Sequence, residues 1–167
     1  KFDWDKLNWL NSQVINNWSS KKLLDTLKPH WSEKGWEVPN DEWGVSLVEL
    51  ISPSMTLLND GIEQSRVFFE KPELESDGKD QLEIEGAKEV ISSLLNQLKQ
   101  TPWNGLDQDL AKELLVKSAD SAGVKKGLLM RSLRASLLGR MKGPDLLTSW
   151  SLLARIGDDI DRLRSCL

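Results

Sequence analysis

Residues 121–142 read SAGVKKGLLMRSLRASLLGRMK, and this stretch decides the fold class. Leu129, Leu133 and Leu137 recur every four residues. At about 100° per residue they form one stripe of a helix, and Arg131 and Arg134 fall on the other side. The spacing predicts a helix over 127–138, closed by Gly139 as a C-terminal cap. The same stretch carries Lys125, Lys126, Arg131, Arg134, Arg140 and Lys142 without a single acid. Such a face can engage phosphates and, through arginine, base edges. The plain alternative is a solvated basic face that partly balances acids elsewhere in the chain.

The helical period extends in both directions. Towards the N-terminus, 107–119 reads as a helix capped by Asp107 and carrying Leu110, Leu114, Leu115 and Ala119, after a loop at 101–105. Before that, 82–100 reads as one long helix with Val90, Ile91, Leu94, Leu95 and Leu98 as its apolar face. Towards the C-terminus, Pro144 suits the first turn of a further helix, with Leu146, Leu147, Trp150, Leu153 and Ile156 inside and Gly157 after it. A last helix carries Ile160, Leu163 and Leu167.

The composition changes at Glu70. Residues 70–89 hold eight acids and three lysines, with turn signals at Lys71-Pro72 and Asp77-Gly78, and the main boundary is expected within 70–79. Upstream, Leu7, Leu10, Val14 and Trp18 predict a helix over 5–18. Ser20 can cap a second helix with Leu23, Leu24 and Leu27 that Pro29 helps to end. A third should start near Asp41 and carry Val45, Leu47, Val48, Leu50 and Ile51 up to Pro53. Helix resumes through Met55, Leu57 and Leu58, and from Ile62 to Phe69. Six of the eight tryptophans precede residue 44 and read as core packing rather than base stacking. The expected fold is all-α, with two consecutive helical bundle subdomains, 1–74 and 75–167.

Composition narrows the chemistry. One cysteine, Cys166, and one histidine, His30, exclude a disulfide framework and a Cys- or His-rich metal site. Neither a glycine-rich phosphate loop nor a nucleophile elbow is present. Asp158 and Asp159 open a helix, where acids favour the dipole, and are a poor catalytic pair. No run approaches the ~18 apolar residues of a membrane span, and the opening residues, with two acids, are not expected to be a signal peptide. The net charge of −4 gives no general reason to expect nucleic acid, so RNA binding must rest on a local patch. Without a starting Met and with its first helix opening in mid-pattern, the chain is expected to be a piece of a longer protein. No DNA, no membrane and no obligate second copy are expected as partners.

The basic stretch resembles the C-terminal anticodon-binding region of bacterial-type glutamyl-tRNA synthetases. The matching motifs are Val124-Lys125-Lys126-Gly127, Leu133-Arg134-Ala135-Ser136-Leu137, Gly139 and Gly143-Pro144-Asp145-Leu146. Lys6-Leu7-Asn8-Trp9-Leu10-Asn11 is similar to the family's stretch just after its catalytic half, and 47–54 to its helix around a proline. Ser132 and Leu138 stand where members often have proline and threonine. The Gly-Pro-Asp-Leu version is most similar to cyanobacterial or plastid relatives.

The resemblance implies an all-α fragment that binds the tRNA anticodon stem and loop, in the cytoplasm or, for a plant or alga, the plastid stroma. It implies that the parent joins glutamate to tRNA with ATP and Mg²⁺, that this piece holds neither, and that it has no catalytic residue. It assigns anticodon contacts to Arg134, Gly143, Pro144, Leu146 and Ser54, with Pro144 and Leu146 offering apolar surface to an unstacked base. Lys125, Lys126, Arg131, Arg140 and Lys142 are the backbone candidates. Serine at position 54, where members that reject the glutamine tRNA carry arginine, implies acceptance of both the glutamate and glutamine tRNAs. The rival expectation is a helical protein-interaction module with a basic face and no RNA role.

Overall fold

A computed structural model describes residues 3–167. The opening residues Lys1 and Phe2, part of the signal-peptide reading, lie outside the described residues. The described residues form ten α-helices and one 3-10 turn and contain no strand. They divide into two compact units that meet between Glu70 and Lys71.

In the first unit, α1 spans Trp4–Asn16, α2 Ser20–Glu33, α3 Asp41–Ile51 and α4 Leu58–Phe69, with a 3-10 turn at Ser52–Ser54. Side-chain oxygens of Asp3, Ser19 and Asn40 accept from backbone N–H groups of the first turns of α1, α2 and α3. The cap of α2 is therefore Ser19 and not Ser20. Pro29 lies inside α2 instead of ending it, because buried Leu27 and Trp31, one turn apart, hold the last turn on the core. Met55 is buried but not helical, and α4 begins only at Leu58, where Asp60 accepts from the N–H groups of Thr56 and Leu57. Trp31, Trp36 and Trp43 surround Phe69 with ring centroids 5.2, 5.3 and 5.5 Å away. The core reading of the tryptophans thus holds for these three and for buried Trp103 and Trp150, while Trp4 and Trp9 are exposed. On α1 the expected apolar stripe is only partly covered: Leu10 is 45% and Val14 55% exposed, and Ile15 is the buried residue.

In the second unit, α5 spans Ser76–Glu83, α6 Ala87–Gln100, α7 Gln108–Ala122, α8 Lys126–Leu138, α9 Leu146–Arg155 and α10 Asp159–Arg164. Several sequence expectations change here. The acidic stretch expected to hold the boundary is not only a boundary, since α5 forms within it and packs on α8. The long helix is broken at Gly86, whose φ of +87° suits glycine, so α5 and α6 are separate elements. The apolar face of α6 is buried as expected and packs most extensively on α7. Helix α8 runs through the centre, against α5, α6, α7, α9 and α10. Pro144 precedes the cap of α9 rather than entering its first turn, because the Asp145 carboxylate accepts from Thr148 N–H and fixes the start. Ile156, expected inside, is exposed, and Leu167, expected on the last helix, lies past the end of α10 and is exposed.

Candidate nucleic-acid interface

The predicted stripe Leu129, Leu133 and Leu137 is fully buried, and Ala135 and Ser136 widen the inward face. This burial fixes the roll of α8 and turns Arg131 to solvent. Lys125, Lys126, Arg140 and Lys142 are also exposed. Among the described residues none of these five makes an ion pair, so the acids of 70–89 do not neutralise them by direct contact. Lys125 and Lys126 stand at the start of α8, where the helix dipole is already positive and no side chain caps the N–H groups. That end therefore favours an anion. Arg140 and Lys142 lie past the other end, about 20 Å away for a 13-residue helix.

Arg134 differs from its neighbours. It is half-buried, and its Nη1 donates to the Pro144 carbonyl at 2.8 Å. Burial holds its pKa below the ordinary arginine value, with the nearby Asp145 carboxylate opposing that shift. A guanidinium has five N–H donors, so one bond to Pro144 leaves others for a ligand. Gly143 makes room for this geometry: a Cβ there would stand 3.3 Å from Arg134 Nη1 and 3.4 Å from Leu138 Cδ1. The structure thus brings Arg134, Gly143 and Pro144 together at the turn after α8. Gly143 is exposed and Pro144 partly exposed. Leu146 is inside its helix, as its spacing predicts, which corrects its reading as apolar surface for a base. At 6% exposure its side chain belongs to the core, so the apolar surface at this turn comes from Pro144.

Ser54 lies in the first unit, exposed, at the end of the 3-10 turn. Its Oγ is 3.0 Å from the Ile51 carbonyl and 2.6 Å from Gln64 Oε1. One hydroxyl proton serves one of them at a time, leaving an acceptor lone pair. It does not cap α4.

The C-terminal end of α8 has a second anchor that apolar periodicity does not mark. Arg162 on α10 is buried, its Nη1 donating to the Leu137 carbonyl at 2.8 Å and its Nε to Asp158 Oδ2 at 2.8 Å. Burial lowers its pKa from the ordinary arginine value, and Asp158 works against that. Asp159 is buried alongside and accepts from Trp150 Nε1 at 2.9 Å. Burial raises its carboxyl above the ordinary value, an effect that the Trp150 bond reduces. The one legible signal was the Asp158–Arg162 spacing of four, which suits a helical ion pair.

Comparison with known proteins places this arrangement. A family model described as "Anticodon binding domain" matches residues 22–166. The chain belongs to the anticodon-binding domain family. Glutamate–tRNA ligases of Prochlorococcus marinus strain MIT 9303 and Synechococcus sp. strain CC9902 are each 58% identical to it over its whole length. The chain spans 35% of the length of these relatives. The anticodon-binding fold is also that of a solved glutamate tRNA ligase from Elizabethkingia meningosepticum. It matches with a TM-score of 0.86 at 22% identity, over 99% of this chain and 32% of the other. The basic helix, its glycine turn and Arg134 therefore sit in an anticodon-binding domain.

Proposed function

We propose that this chain is the anticodon-binding part of a glutamate–tRNA ligase and that it seats the anticodon stem and loop of the glutamate tRNA. The observation that carries the reading is the set of exposed, unpaired cations at both ends of α8, flanking Arg134 and Pro144. Cations about 20 Å apart suit phosphates, while the remaining Arg134 donors and the Pro144 ring suit an unstacked base. Amino-acid activation with ATP and Mg²⁺ belongs to the part of the ligase outside these residues. The protein works as a monomer in the cytoplasm, without DNA or membrane partners. No helix among the described residues is long and apolar enough to cross a membrane.

The finer reading is that the ligase accepts the glutamine tRNA too. The two anticodons differ at the third letter, C against G. Arginine offers only donors, which suit the O2 and N3 acceptors of cytosine and oppose the N1–H and N2–H donors of guanine. The exposed Ser54 hydroxyl is short, uncharged and able to donate or accept, so it tolerates either base. The test is a titration of the chain with the two anticodon stem-loops, for wild type and Ser54→Arg. Similar affinities for wild type and a preference for C in the variant support the reading. A strong wild-type preference for C overturns the dual acceptance, and no saturable binding of either stem-loop overturns the RNA role.

A further inference from the structure

The turn that carries Arg140, Lys142 and Gly143 is held from outside α8. Glu75 N–H donates to the Gly139 carbonyl at 2.8 Å, and Met141 N–H donates to Asp77 Oδ2 at 3.2 Å. The two backbones meet where neither has a side chain. A Cβ at Gly78 would stand 2.5 Å from the Gly139 oxygen, and one at Gly139 would stand 2.7 Å from the Glu73 oxygen. Gly139 also has φ +77°, in the left-handed region. Behind this contact α5 packs along α8, with Gln81 Nε2 donating to Ser132 Oγ at 3.3 Å in the buried interior.

This arrangement gives the acidic stretch a task that its charge does not suggest. A carboxylate beside an RNA-binding turn opposes a polyanion by charge alone. Asp77 instead gives its oxygen to an amide of that turn, between Arg140 and Lys142. We propose that Asp77 is a positioning residue for tRNA binding: by accepting from Met141 N–H it fixes the turn from which Arg140 and Lys142 reach the RNA backbone. This rests on the reading of α8 and its turn as the RNA face. The same residue also lies in the first turn of α5, where an acid favours the helix dipole, and that role alone would leave RNA affinity to charge.

Charge and position predict opposite signs. Removing a negative charge near a polyanion tightens binding, whereas releasing the turn weakens it. The experiment measures anticodon stem-loop affinity and amide hydrogen exchange at Met141 for wild type, Asp77→Ala, Asp77→Asn and Asp80→Ala. Asp77→Ala should weaken binding about 3- to 10-fold, the size of one net hydrogen bond, and speed Met141 exchange by about the same factor. Asp77→Asn keeps an acceptor oxygen without the charge, so it should bind as tightly as wild type or tighter. Asp80→Ala, an exposed acid on the same helix, should behave likewise. Affinity of Asp77→Ala equal to or above wild type, or unchanged Met141 exchange, overturns the proposal. Wild type that fails to bind RNA overturns the functional reading instead, and the exchange data still decide whether Asp77 holds the turn.

Discussion

In the proposed reading Arg134 serves both the fold and the ligand. Its bond to the Pro144 carbonyl closes the turn after α8, and its other donors stay available. Arg134→Ala should weaken anticodon-loop binding by roughly 1–3 kcal/mol if the contact is a bidentate base contact. The half-buried position adds something that leucine spacing does not convey: the same variant should lose about 0.5–1.5 kcal/mol of stability in urea unfolding with the lost hydrogen bond. Unchanged affinity in a folded variant removes Arg134 from the site. A second residue-scale expectation concerns pH. Burial raises the Asp159 pKa in the folded state, so the folded chain binds this proton more tightly than the unfolded chain. Stability from this group therefore rises as pH falls through the folded pKa, and is lost as pH climbs back through it. The stability of wild type relative to Asp159→Asn should increase between pH 7 and pH 4, because the other carboxylates cancel in the difference. A constant or falling difference contradicts the assignment.

At the scale of elements, α8 is the part most fully legible in the sequence. Its stripe of leucines, its glycine cap and its outward Arg131 stand as the four-residue spacing predicts. The same periodicity misplaced α5. The segment Ser76–Glu83 is short and charged, and its main packing residues are Gly78, Gln81 and Leu82, too few apolar positions to show a period. Helix stability there comes from tertiary contact with α8, which a single-sequence pattern does not contain. Pro29 shows the converse, a strong local signal overruled by burial of Leu27 and Trp31. Leu146 carries two conflicting readings, inside its helix by spacing and apolar surface by motif, and its burial bears out the spacing. Gly139 shows what the element contact demands: Gly139→Ala forces a side chain into the left-handed region and against the Glu73 oxygen. It should cost about 1–3 kcal/mol in stability by urea unfolding, from the backbone strain alone. A neutral variant contradicts the left-handed conformation of Gly139.

For the whole molecule, the division between Glu70 and Lys71 is a sequence of short-range facts: α4 ends at Phe69, and 71–75 is an irregular stretch before α5. A glutamate-specific protease should cut first after Glu70, Glu73 or Glu75, and release fragments near 70 and 97 residues. First cuts within α6 or α7 contradict the two-unit description. The acidic overall charge and the basic face coexist because residues 121–142 carry six of the 22 cations and none of the 26 acids. Net charge alone gives no reason to expect nucleic acid, and the local arrangement supplies one. The central claim is that this face binds an anticodon stem-loop through phosphates and an unstacked base. It is tested most directly by titrating the chain with a fluorescent glutamate-anticodon stem-loop at salt concentrations from about 50 to 200 mM. Saturable binding whose affinity falls steeply and linearly with the logarithm of salt, with a shallower slope for Lys125→Ala/Lys126→Ala, is the predicted result. No saturable binding at the lowest salt, or binding indifferent to salt and to those two lysines, would contradict it.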